Sequence, residues 1–118
     1  VVTALVALLL GVARPPTAYV SVGASRVPLA ISSWCWGAHC GAPIAASTRT
    51  AVLSRGSTVR VELKFTPTQA RVAVGGVREQ ATSSGREITW RAAHAGGITI
   101  DATGAQGWVI YVGRLRLR

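Results

Sequence analysis

Apolar and polar residues alternate with a period of two along much of this chain. The clearest stretch is Val59 to Phe65: Val59, Val61, Leu63 and Phe65 share one parity, and Arg60, Glu62 and Lys64 share the other. Successive side chains of a strand point to opposite faces, so this pattern predicts a strand with one buried and one wet face. Val72 and Val74 form a second stripe, ended by Gly75-Gly76. Ile88 and Trp90 form a third, with Glu87, Thr89 and Arg91 outside. Ile98 and Ile100 form a fourth, with Thr99 and Asp101 outside. Tyr19 to Val22 and Val27 to Ile31 read as two strands parted by Gly23-Ala24-Ser25, and Ser47 to Leu53 as a less regular one. No segment sustains a helical period. Short strands with turn signals between them predict an all-β protein, an immunoglobulin-like antiparallel β-sandwich of about seven or eight strands.

The last run, Gly107 to Arg118, is longer. Val109, Tyr111, Leu115 and Leu117 share one parity. Trp108, Ile110, Val112, Arg114, Arg116 and Arg118 share the other. Either that second face is apolar at one end and basic at the other, or Gly113 marks a bulge where the phase switches.

The amino-terminal run Val1 to Ala13, VVTALVALLLGVA, carries no charge. It is shorter than the roughly 20 apolar residues that span a bilayer, and it matches the apolar region of a secretory signal peptide. Gly11 and Ala13 have the small-residue spacing of a cleavage site after Ala13. Membrane contact is expected only through this segment if it is left uncleaved. Arg14-Pro15-Pro16-Thr17 breaks a helix and reads as a short linker. The expected organisation is residues 1–18 as a signal-peptide-like segment with its Pro linker, the start of a truncated precursor, and residues 19–118 as one domain.

Ser33 to Gly41 contains both cysteines and two of the four tryptophans. In an exported protein, Cys35 and Cys40 are expected to form a disulfide that closes a tight loop. The alternative is a zinc site in which Cys35, His39, Cys40 and His94 supply four ligands, although the two-residue Cys spacing of a zinc knuckle is missing. Trp34 and Trp36 lie on one side of an extended segment. They either pack in the core or, with Trp108, form an aromatic surface.

The Trp34-Cys35-Trp36-Gly37-Ala38-His39-Cys40 stretch, followed much later by Trp108, Tyr111 and the Arg-Leu-Arg-Leu-Arg ending, resembles a group of uncharacterised secreted or lipoprotein-like domains of high-GC bacteria. That resemblance implies an immunoglobulin-like sandwich outside the cytoplasm and brings no activity with it. An acidic residue often follows the second Cys in that group, where this chain has Gly41.

Composition adds a charge to this picture. The net charge is +9, and of thirteen basic residues only Lys64 is not Arg. Together with the abundant Ala, Gly and Val, the Arg excess fits a GC-rich coding sequence. Whatever its origin, it draws the chain to anionic polymers and surfaces. Arg114, Arg116 and Arg118 are the candidate contacts, since guanidinium forks suit phosphate and carboxylate. The other reading of this stripe is a charged edge strand that blocks aggregation.

Catalytic signals are scarce. The four carboxylates are Glu62, Glu79, Glu87 and Asp101, with no sign of a working pair. There is no nucleophile elbow, no phosphate-binding Gly loop ahead of a helix and no specific nucleic-acid motif. A triad of a Ser with His94 and Asp101 has no sequence signal beyond the residue types. The expectation is a non-enzymatic, cofactor-free exported or cell-envelope module that binds an anionic envelope polymer or an envelope protein. The small metal-binding domain is the alternative.

Overall fold

The computed structural model describes residues 14–46 and 49–118, so the expected leader, residues 1–13, lies outside the described residues. The strands, in chain order, are β1 (Tyr19–Val22), β2 (Ser25–Pro28), β3 (Ala30–Trp36), β4 (His39–Gly41), β5 (Ala51–Leu53) and β6 (Thr58–Glu62). They continue with β7 (Gln69–Val74), β8 (Val77–Glu79), β9 (Thr82–Ser84), β10 (Glu87–Arg91), β11 (Gly96–Gly104) and β12 (Gly107–Leu117). One sheet has five strands in the order β2-β1-β6-β10-β9. The other has seven: β4-β3-β12-β11-β7-β8, with β5 also on β12. Pairing is antiparallel throughout except for β5, which runs parallel to β12. The described chain is therefore an all-β, two-sheet sandwich.

The strands with clear alternation bury the parity that it marked. Val59 and Val61 of β6, Ile88 and Trp90 of β10, Val72 and Val74 of β7, and Ile98, Ile100 and Ala102 of β11 meet in one core between the sheets. Fully burying such side chains is worth about 1.5–3 kcal/mol each before the entropy of ordering is set against it.

Among the described residues there are twelve strands where about seven or eight are expected. The additional ones are short hairpin arms. β4 (HCG), β8 (VRE) and β9 (TSS) each have three residues and too few apolar positions to show alternation. Val27 to Ile31, read as one strand, is divided between the sheets: β2 ends at Pro28, Leu29 turns inward, and β3 begins at Ala30. Of the expected Ser47–Leu53 strand, Ala51–Leu53 forms β5, and residues 47–48 lie outside the described residues.

The phase of the last strand is continuous. Val109, Tyr111 and Leu115 are buried and Gly113 stays on their side. The irregularity is in the partner: Ile110 pairs with Ser33 and Tyr111 with Ile31, so Ser32 of β3 is the extra residue. Gly113 is required by a close approach, because a Cβ there would lie 2.5 Å from Leu29 Cδ2. The outer row of β12 is thus apolar at its start and basic at its end.

The segment before β1 reaches the core. Pro15 is buried, and the Pro16 carbonyl accepts a hydrogen bond from the Tyr111 hydroxyl at 2.6 Å. Burial pushes the Tyr111 phenol up.

Candidate functional site

Cys35 and Cys40 are directly opposite each other on the β3–β4 hairpin and form a disulfide, with Cα atoms 3.9 Å apart. Cys35 is half-buried and Cys40 exposed. Both sulfurs are therefore occupied. The hairpin is ordered strand rather than the expected loop, because its two arms pair from Trp34 with Gly41 to Trp36 with His39.

The four residues of the zinc alternative are not brought together. His39 is at the end of the sandwich where Trp36 meets Gly107. His94 precedes β11 at the other end, roughly 27 Å away along that nine-residue strand. Its Nδ1 lies 2.6 Å from Glu79 Oε1, and the Glu79 side chain is only 8% exposed. Among the described residues, no group of three or more His, Cys, Asp or Glu side chains converges. His94 also takes Glu79 rather than Asp101 as its carboxylate, so the His94–Asp101 couple of a triad does not form.

The aromatic surface is divided. Trp34 and Trp36 are core residues, 7% and 5% exposed. The Trp34 indole N–H donates to the Ala42 carbonyl at 2.9 Å. Its ring covers Gly41, where any Cβ would collide with it, and this explains the glycine at the position after the second Cys. Trp36 meets Phe65 edge to face, with ring centroids 5.0 Å apart. Trp108 alone of the three points outward, 36% exposed, beside Cys35 across the β12–β3 ladder.

Arg114 and Arg116 stand exposed on the outer face of β12, and Arg118 is exposed just past its end. They alternate with Leu115 and Leu117, which places them about 7 Å apart along the strand. β12 is an interior strand. β11 pairs with it from Gly107 to Leu115, and on its other side β3 pairs with Gly107–Val112 and β5 with Leu115–Leu117. Both edges are covered from Gly107 to Val112, whereas Arg116 and Leu117 have β5 on one side only, so guarding a short open edge and contacting a ligand both remain readings of the basic row.

The carboxylates are elsewhere. Glu62 bonds Arg26 and Lys64, both at 3.3 Å, and Glu87 bonds Arg60 at 2.9 Å, all on the five-stranded sheet. Lys64, first by its hydrogen bond and then by its charge, and Arg26 after it, hold the Glu62 carboxyl below the usual range. Asp101 faces outward on β11, opposite Arg71 and next to Ile110. None of the ion pairs among the described residues includes Arg114, Arg116 or Arg118.

One feature had no sequence signal. Between the end of the β3–β12 ladder, at Ala30–Val112, and the start of the β5–β12 ladder, at Ala51–Leu115, a cleft of about 290 Å³ opens beside Arg114. Its walls come from separated parts of the chain, so no local motif could announce it.

Comparison with protein-family models, with curated proteins and with solved structures finds no match for this chain.

Proposed function

We propose that this protein is a non-catalytic binding module of the cell envelope or the secreted fraction, and that Arg114, Arg116 and Arg118 contact an anionic polymer. The observation that carries this reading is the row itself: three exposed guanidinium groups at the end of β12, with no carboxylate paired to any of them. Unneutralised Arg at regular spacing suits a chain of phosphates or carboxylates. The Cys35–Cys40 disulfide supports an oxidising compartment, and the apolar start of the sequence supports export. An immunoglobulin-like topology belongs to the same proposal. The order β1-β6-β10-β9 matches strands A-B-E-D, and β12-β11-β7-β8 matches G-F-C-C′ of that fold. The resemblance to secreted domains of high-GC bacteria points the same way.

The test is binding of the full chain to inorganic polyphosphate across a salt series. Affinity should fall steeply with salt, and neutralising the three Arg residues to Gln should lower the logarithmic salt slope by about 3. An unchanged slope in that variant would refute the assignment of the site. A protein partner is the second reading, favoured by exposed Trp108 and its half-buried row neighbours Ile110 and Val112. It would use the face of β12 over residues 108–112, where both edges of the strand are already paired.

A further inference from the structure

The cleft beside Arg114 has a composition of its own. Leu29, at the crossing between the sheets, lines it together with Val20, Val27, Ala30, Ala51 and Val112. These are all apolar, and Val20, Val27, Leu29 and Ala51 belong to the buried core. The charged residues of the lining are Arg49 and Arg114, and no carboxylate is among them. At about 290 Å³ the cleft is near the lower end of small-ligand pockets, which run from about 300 to 1,000 Å³. Gly113 keeps it shaped, because any side chain there would displace Leu29.

A purely polar polymer would leave this apolar lining unfilled. The complementary occupant has one narrow apolar chain and one anionic end, so that the chain removes apolar surface from water and the anion meets the Arg114 guanidinium. The geometry points to a binding site for a single long-chain carboxylate, with its tail between Ala30, Ala51 and Val112 and its headgroup at Arg114. This goes beyond the polymer reading. It needs only Arg114 of the basic row, and it stands or falls on the apolar cleft.

The experiment is a titration of the full chain with decanoate, decanol and acetate, followed by methyl NMR. Saturable one-to-one binding of decanoate is expected, with shifts centred on Leu29, Ala30, Ala51 and Val112. Decanol should bind about tenfold more weakly and acetate should not bind at these methyls. Arg114→Gln should remove the preference for decanoate over decanol. Ala30→Phe should abolish binding of both while leaving polyphosphate binding intact, so failure of this site and failure of the polymer surface are read separately. Equal affinity for decanoate and decanol, shifts that do not saturate, or shifts away from the cleft would overturn the inference. The ligand series uses the natural protein and does not depend on the variants folding.

Discussion

The β6–β10 face and the end of β12 treat the same residue type in opposite ways. On the five-stranded sheet, Arg26 and Arg60 stand beside Glu62 and Glu87, Lys64 shares Glu62, and Arg26 also lies over the Tyr19 ring at 4.9 Å. On the seven-stranded sheet, Arg114, Arg116 and Arg118 line the end of β12 with no ion pair. Exposed ion pairs contribute about 0–1 kcal/mol each, so the first arrangement does little for stability. What it does is cancel local charge. A GC-rich coding sequence would make Arg frequent, but it would not place Glu62 and Glu87 beside Arg26, Lys64 and Arg60 while pairing no carboxylate with Arg114, Arg116 or Arg118. The positive charge is concentrated by placement, and a concentrated field is what attracts an anionic partner.

Breaking the support under the unpaired face should have the largest effect. Gly113→Val would drive a side chain into Leu29, and overpacking of this kind costs about 1–3 kcal/mol. Denaturant unfolding should report it, and a cost near zero would mean that the approach of β12 to Leu29 is looser than described. Next, Gly97→Glu would supply the missing acid directly opposite Arg114. If the β12 row binds because no carboxylate pairs with it, this single change should weaken polyphosphate binding by about tenfold at low salt. An unaltered affinity would detach binding from Arg114.

The tie between the amino-terminal segment and the underside of the same strand is smaller. Tyr111→Phe removes the hydrogen bond to Pro16 and should cost about 1 kcal/mol at neutral pH. Because burial raises the phenol above its ordinary value near 10, the natural protein keeps this contribution below that pH and loses it as pH rises further. The variant should lack that alkaline loss, which thermal melts across pH would reveal. The smallest effect belongs to the paired face. Glu62 is held below the ordinary carboxylate value, so its contribution is present above about pH 4.3 and fades as the pH falls below it. Glu62→Gln should make the acid limb of the stability curve slightly shallower and give the freed Arg26 and Lys64 a weak new affinity for polyphosphate. A steeper acid limb would contradict the sign.

These differences were unevenly legible beforehand. Alternation marks β6, β7, β10 and β11 because each carries at least two apolar residues at the strand period. β4, β8 and β9 are held by hairpin turns and ladder hydrogen bonds, neither of which leaves a hydrophobic stripe. The cysteine pairing was readable from spacing and context. The burial of Trp34 and Trp36 was not, because parity places both on one side without saying which side faces the second sheet. The three basic residues were visible as a stripe, but that Arg114 borders the cleft and Arg116 pairs with β5 depends on contacts between distant segments that no local pattern announces. The cleft could not be read at all, since Val20, Leu29, Ala51 and Val112 meet only after the chain crosses between sheets.

The most direct test of the central claim compares two variants with matched charge changes. Arg114→Gln with Arg116→Gln alters the unpaired face, and Arg26→Gln with Arg60→Gln alters the paired face. Polyphosphate affinity would be measured for both across the same salt series. The account predicts a loss of at least tenfold at low salt for the first pair and a change of less than about twofold for the second. Equal losses would mean that only net charge matters, and the placement of Arg114 and Arg116 would carry no function.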